Sequence, residues 1–445
     1  MFQTGGFMNY DFSIPSLGAC TVASPIHLSK RIGDLIANYV GDEERIMYDL
    51  NALPDVPLTL KKEELVEKAG PREKIHFDPS TARAGIITCG GLCPGLNDVI
   101  RAIVMTLWYQ YGVRTIFGVK FGYYGLLPEN VSEVIDLTPD RVRDIHQMGG
   151  TILGSSRGNG DRVSDLVDSI EKLDLTMLFT IGGDGTQRGA SRIADEITRR
   201  GRNIAVVGIP KTIDNDLSFI QKSFGFETAV AKAVEAVAGA HVEARDALNG
   251  VGIVKVMGRE SGFIAAHTAL GNNDVNYVFI PEVPFDFDGE RGLLLHLKER
   301  LRQRNHALIV VAEGAGQEHL EASAATDASG NKKFGDIGIY FKERISSYFK
   351  NGGITVNIKY IDPSYIIRST PANPIDSIYC TRLGSNAAHA AMAGKTKMLI
   401  SLINNSFVHV PMKLAVSRRN CIDPESPLWR DVVQATGQPA LMKNI

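Results

Sequence analysis

From about residue 81 onward the chain repeats one local pattern: a short apolar run, a glycine turn, then an amphipathic stretch of helical period. AGIITC (84–89) breaks at GGLCPGLN (90–97). DVIRAIVMTLWYQY follows, with Val99, Ile100, Ile103, Val104, Leu107 and Trp108 on one helical face. TIFGVK is strand-like. TMLFTIGG (176–183) ends in glycines, and TQRGASRIADEITRRG reads as an amphipathic helix stopped by Gly201. NIAVVGIP, ended by Pro210, then GVGIVKVMG, NYVFIP and HALIVVAEG continue the series. Continuously apolar strands between amphipathic helices predict an α/β fold with parallel sheets covered on both faces. Ligands in such folds bind beyond the carboxyl ends of the strands, and the glycine-rich and charged motifs fall at those ends.

Residues 1–80 read differently, as an N-terminal extension with a structural or subunit-contact role. The pattern there predicts a helix around residues 28–49 and a charged helical stretch at KKEELVEKA, and no chemical motif. GQEHLEASAATDASGNKK (316–333) is expected as an exposed loop. Forty-eight basic residues against fifty acidic ones leave a net charge of −2, without the basic footprint of non-specific nucleic-acid or membrane binding. The five cysteines (Cys20, Cys89, Cys93, Cys380, Cys421) are odd in number and scattered, which predicts a reducing compartment rather than a disulfide framework. The opening MFQTGGFMNYDFS does not read as a signal peptide, the closing MKNI is no peroxisomal address, and no apolar run is long enough for a bilayer. A cytoplasmic enzyme is the expectation, with no nucleic-acid or membrane partner.

The motifs carry the chemistry. In GGLCPGLN a strand runs through glycines into a helix, so unobstructed backbone N–H groups and the positive helix end make an anion cradle. GGTILGSSRG (149–158) places Arg157 where a guanidinium can chelate phosphate oxygens. IGGDGTQRGA (181–190) sets Asp184 between glycines, where its carboxylate can hold Mg²⁺, and offers Thr186 as helix N-cap or phosphate donor. PKTIDND (210–216) follows a strand with a lysine, a threonine and two carboxylates. Phosphoryl transfer to an alcohol needs a base near the hydroxyl, and Asp214 is expected in that role, with Asp216 as a support or metal-shell residue. VMGRESGFIA (256–265) puts Gly258 and Arg259 before Ser261, an expected N-cap and second anion site. Glu313 in VAEG suits the hydroxyls of a sugar. Lys359, Tyr365 and Arg368 of KYIDPSYIIR are able to grip a sugar phosphate. Walker-type and dinucleotide glycine patterns are not matched: His389 stands where the first glycine before GKT (394–396) belongs.

Taken together, GGLCPGLN, GGTILGSSRG, GGDGTQRGA, PKTIDND, MGR and YIDPSYIIR resemble the 6-phosphofructokinase family in order and spacing, over roughly residues 75–420. The likeness is strongest to the longer, pyrophosphate-enzyme-related branch that includes the ATP-dependent trypanosomatid enzymes. The resemblance implies two Rossmann-like α/β subdomains with parallel-rich sheets and the active site in the cleft. The expected parts are a 1–80 extension, a nucleotide-binding subdomain at 81–225 completed by about 367–420, a fructose-6-phosphate subdomain at 226–366, and a segment at 421–445. It implies that ATP contacts Gly90, Arg157, Gly158, Gly183, Gly185 and Thr186, with Tyr123 beside the base and Asp184 on Mg²⁺. Lys211, Thr212, Ile213 and Asp214 would face the transferring phosphoryl and the sugar 1-hydroxyl. Met257, Gly258, Arg259 and Glu313 would bind the sugar, Arg259 also stabilising transition-state charge. Lys359, Tyr365 and Arg368 would clamp the 6-phosphate. A homotetramer, with a dimer as the alternative, is implied as well.

Gly185 bears on the donor, since in this family glycine there accompanies ATP and aspartate accompanies pyrophosphate. A carboxylate would occupy and repel the space of the nucleotide α-phosphate. Lys211 points the other way, because pyrophosphate-using members carry lysine there. Gly185 is weighted more heavily, because it decides whether a nucleotide fits. Two alternatives stay open at this point: a pyrophosphate-dependent phosphotransferase, and an inactive regulatory subunit on the same fold. Retention of Asp184, Thr212, Asp214 and Arg259 together speaks against the latter.

Overall fold

The computed structural model describes residues 10–50, 62–131, 134–320 and 334–444. The opening residues 1–9 lie outside the described residues, as does most of the loop expected at 316–333. The chain forms two compact units, each assembled from separate stretches.

The first unit comprises Met1–Thr212, Leu217–Phe224 and Pro374–Arg418. Among its described residues nine strands form one sheet. Five are parallel neighbours, in the order Met398–Ile403, Ala205–Pro210, Met177–Gly182, Arg83–Thr88 and Thr115–Val119. The Met177–Gly182 and Ala205–Pro210 strands are buried along their whole length, as their unbroken apolar runs require when helices cover both faces. Strands Val134–Asp136 and Ser406–Pro411 close the two sides of this parallel core in antiparallel fashion. The extension then adds Leu65–Lys68 and Arg45–Met47 beyond Ser406–Pro411. Register places Thr88 beside Ile181 and Gly182 beside Pro210, so the motifs that follow these strands emerge along one edge.

The second unit comprises Ile213–Asp216, Gly225–Asn373 and Arg419–Ile445. Its described strands form a wholly parallel sheet in the order Tyr277–Phe279, His306–Ala312, Gly250–Val256, Asn357–Ile361. Val256 pairs with Ala312, so Met257 and Glu313 leave the sheet side by side. One face buries Phe279, Phe285, Phe341 and Phe349. The other packs on the helices Phe226–Arg245 and Phe263–Gly271, with many alanines at the contact.

Two expectations for the extension fail. The helix expected at 28–49 is absent, and turns lead to the Arg45–Met47 strand. Asp34 takes the Ser29 hydroxyl and the Ile36 N–H (3.0 Å), local bonds that compete with a helix, and Leu35 sits at φ +64°. Ile32 and Leu35 are fully exposed, so no apolar stripe anchors a helix. In KKEELVEKA, Lys62–Glu64 makes a 3₁₀ turn and Leu65–Lys68 a strand. Val66 is buried, and the buried Glu67 carboxylate is held by Lys395 (2.9 Å), His409 (2.9 Å) and Arg72 (3.3 Å). Lys395 and His409 are distant in sequence, and these contacts override helix propensity.

Candidate active site

Within the first unit, three turns converge. Gly90 follows the Arg83–Thr88 strand at φ +89°, a conformation that glycine adopts without strain. Its N–H donates to the Ser156 carbonyl (2.9 Å) and its carbonyl accepts from the Ser155 hydroxyl (2.7 Å), which pins GGTILGSSRG to GGLCPGLN. Lys211, buried after the Ala205–Pro210 strand, donates through Nζ to the Gly91 carbonyl (2.7 Å). A side chain on Gly90 would come within 3.1 Å of that ammonium. Arg157 is exposed just beyond, and Gly158 turns the chain at φ +81°.

The third turn is IGGDGTQRGA. Gly183 is the N-cap, and the helix runs Asp184–Arg199 with no side-chain cap, so its first N–H groups and positive end are presented at the sheet edge. Thr186 is therefore inside the first turn of the helix rather than its N-cap. It is buried, and Gly182 is glycine because a Cβ there would lie 2.2 Å from the Thr186 hydroxyl. Tyr123 is buried beneath the helix rather than open to a ligand face: its hydroxyl donates to the Thr186 carbonyl (2.7 Å) and its ring fills the space over Gly189. Gln187 donates to the carbonyls of Thr180, Gly182 and Ile209, fixing two strand ends at once. Both Asp184 oxygens accept from Arg188 (2.8 and 3.3 Å), one helical turn on. At Gly185 an added Cβ meets nothing within 4 Å. The fold does not ask for glycine there.

In the second unit the group is built of side chains. Ile213 packs against the core. Asp214 has its Oδ1 shielded from solvent, with no hydrogen bond reaching it among the described residues. Burial, and then the charges of Asp216 and Glu313, push its carboxyl up to about 7, against the pull of the Arg259 amide and guanidinium. Ser261 is not the N-cap of the following helix, a place held by Gly262; its hydroxyl donates to the Asp214 carbonyl (3.2 Å). Gly258, at φ +131°, and Gly314 let the turns after Val256 and Ala312 touch backbone to backbone, the Gly314 N–H donating to Gly258 (3.0 Å). Met257 is buried and Arg259 lies over the Phe334 ring (4.5 Å). Burial also raises the Glu313 carboxyl, opposed by Arg259, Lys255 and Arg368. Tyr365 is exposed on the short Ser364–Ser369 helix, with Arg368 over its ring (5.1 Å).

Lys359 does not join that group. It is level with Gly252 in the amino-terminal half of its neighbour strand, and its ammonium pairs with Glu243 (3.2 Å). Sequence reasoning also missed several supports. Lys255 pairs with Asp336 and Asp362 (2.9 Å each), and Arg419 pairs with Asp216 (2.7 Å). Arg188 had a legible signal, four residues after Asp184 on a helix. Arg419 had none, since 203 positions separate it from Asp216.

Among the described residues no helix is long and apolar enough to cross a membrane, and no three His, Cys, Asp or Glu side chains gather as a metal-binding group. The phosphofructokinase family profile matches residues 83–391. The chain is 56% identical to an ATP-dependent 6-phosphofructokinase of Borreliella burgdorferi over 98% of each chain. It is 45% identical to that of Amycolatopsis methanolica (97% of this chain, 95% of the relative) and 48% identical to that of Trypanosoma cruzi (84% and 76%). A crystal structure of a pyrophosphate-dependent phosphofructokinase from Marinobacter aquaeolei has the same fold, with a TM-score of 0.65 at 21% identity over 80% of this chain and 91% of that one. The chain belongs to the phosphofructokinase family.

Proposed function

We propose that this family member is an ATP-dependent 6-phosphofructokinase in which Asp214 is the general base. The chain transfers the γ-phosphoryl of ATP to the 1-hydroxyl of fructose 6-phosphate, a step of glycolysis, as its full-length relatives are named to do. The observation that carries the assignment of the base is the buried Asp214 Oδ1, which no hydrogen bond reaches among the described residues, in a carboxyl that burial, Asp216 and Glu313 push upward and so make a better proton acceptor. It takes the hydroxyl proton as the new O–P bond forms. The bond to the bridging oxygen breaks, and ADP leaves with the electron pair. Arg259 steadies the charge on the transferring group, while Glu313 accepts from sugar hydroxyls and Arg368 with Tyr365 holds the 6-phosphate.

ATP is placed by Gly90, Arg157, Gly158 and the Gly183–Thr186 turn, whose N–H groups suit phosphate oxygens. Lys211 and Thr212 belong with these donors. Gly185 supports a nucleotide: packing does not require glycine there, since an added Cβ meets no protein atom, and a carboxylate in its place would repel the α-phosphate. A lone Asp184 fits Mg²⁺ that keeps its waters and arrives with phosphates, not a metal caged by protein. Bound there, Mg²⁺ would offset phosphate charge, and Arg188 aims the Asp184 oxygens. A homotetrameric state belongs to the same proposal and rests on family likeness; a cytoplasmic location rests on the odd, scattered cysteines, which suit a reducing compartment.

The deciding assay is formation of fructose 1,6-bisphosphate with ATP and pyrophosphate supplied separately. Turnover with ATP alone is expected. Turnover with pyrophosphate alone would shift the weight from Gly185 to Lys211.

A further inference from the structure

Four consecutive residues of the second unit, Arg419–Ile422, hold two functional loops together. The Arg419 Nη1 donates to Asp216 Oδ2 (2.7 Å), and its Nε lies 3.4 Å from Glu260 Oε2. The Asn420 N–H donates to the Asp216 carbonyl (2.8 Å) and its side-chain amide to the Asn215 carbonyl (3.3 Å). Cys421 Sγ donates to the Glu260 carbonyl (3.3 Å). The Ile422 N–H donates to Glu282 Oε1 (2.8 Å), which also accepts from the Gly262 N–H (2.9 Å). One short segment thus grips both Asn215–Asp216, next to Asp214, and Glu260–Gly262, next to Arg259.

The Asn215 backbone between the two aspartates is at φ +57°, a left-handed conformation that asparagine tolerates but that surrounding contacts must hold. Arg419 supplies such a contact. Its planar fork reaches one carboxylate on each loop, a geometry a lysine cannot reproduce. The charged groups that bear on Asp214 are Asp216 from its own segment, Arg259 from the turn after Val256, and Glu313 from the turn after Ala312. Two of the three are negative, and Arg419 brings a cation to Asp216.

We propose that Arg419 is a positioning residue for phosphoryl transfer: it ties the Asp214 segment to the Arg259 loop and offsets the charge of Asp216. This rests on the assignment of Asp214 as base. With the fork gone, the backbone and side-chain bonds of Asn420, Cys421 and Ile422 remain, but the Asp216 and Glu260 carboxylates lose their link and Asp216 loses this cation, so the proton on Asp214 is held more tightly.

The test is a pH profile of kcat and of KM for fructose 6-phosphate in Arg419→Met, Arg419→Lys and Asp214→Asn, with thermal melting alongside. Arg419→Met is expected to lower kcat about tenfold while KM moves less than about threefold, as for misplacement of a reacting group. Its half-maximal kcat/KM should move to higher pH by about half a unit or more. Arg419→Lys should restore that midpoint and only part of kcat, and it keeps the test readable should the methionine variant not fold. Wild-type kcat and midpoint in Arg419→Met overturn the proposal, as does a lower melting temperature with the midpoint unmoved. Asp214→Asn separates the failures: full turnover there removes the base, whereas lost turnover there with wild-type behaviour in Arg419→Met removes only the role of Arg419.

Discussion

The phosphate-binding turns of the first unit are made of backbone, and the sugar- and proton-handling group of the second is made of charged side chains. In the first, glycines at 90 and 158 shape the turns with positive φ, and the Asp184–Arg199 helix starts after Gly183 with no side chain capping its first N–H groups. Partial charges fixed in a backbone keep their direction without a partner. In the second, Asp214, Arg259, Glu313 and Arg368 each depend on what faces them, and Asp216 and Lys255 are each claimed by an ion pair. A backbone site tolerates little addition, while a side-chain site is sensitive to removal.

That contrast can be broken by substitution, starting with the largest effect. Asp214→Asn should cut kcat by a factor on the order of 10²–10⁴ while fructose 6-phosphate still binds, measured by steady-state kinetics and calorimetry. Turnover at the wild-type rate would remove the base. Addition in the first unit comes next. Gly185→Asp should lower kcat/KM for ATP on the order of 10²-fold, because like charges forced together cost several kcal/mol. Its melting temperature should not fall, since the new Cβ meets no atom and an acid suits the first helical turn. Unchanged use of ATP would show that the open space is not the nucleotide's.

A milder probe is pH itself. A raised carboxyl acting as base must be unprotonated, so kcat/KM should rise about tenfold per unit below its midpoint and level off above about 7. A flat profile from pH 5.5 to 8 would disconnect Asp214 from the rate. The smallest effect is expected for Lys359→Ala, where KM for fructose 6-phosphate should change less than about twofold, because the lost contact is an exposed ion pair with Glu243. A tenfold rise in KM would return Lys359 to the phosphate clamp.

The alternation of apolar strands, glycine turns and amphipathic helices determined the α/β class and placed the motifs at strand ends, because side-chain period and turn stereochemistry are local properties. Gly90 and Gly183 were legible for the same reason: what they do is done by their own backbone. The acid at 184 and the pair at 214 and 216 were legible as chemistry that a turn does not need. Other features were decided only by contacts across the chain. KKEELVEKA became a strand because Glu67 meets Lys395 and His409. Tyr123 went beneath the helix because Gly189 leaves room for its ring. Lys359 turned to Glu243, and Arg419 came to Asp216 from 203 positions away. A charged side chain reaches several ångströms and goes to the partner that the fold brings to it, so its residue type is written in the sequence while its role is fixed by tertiary structure.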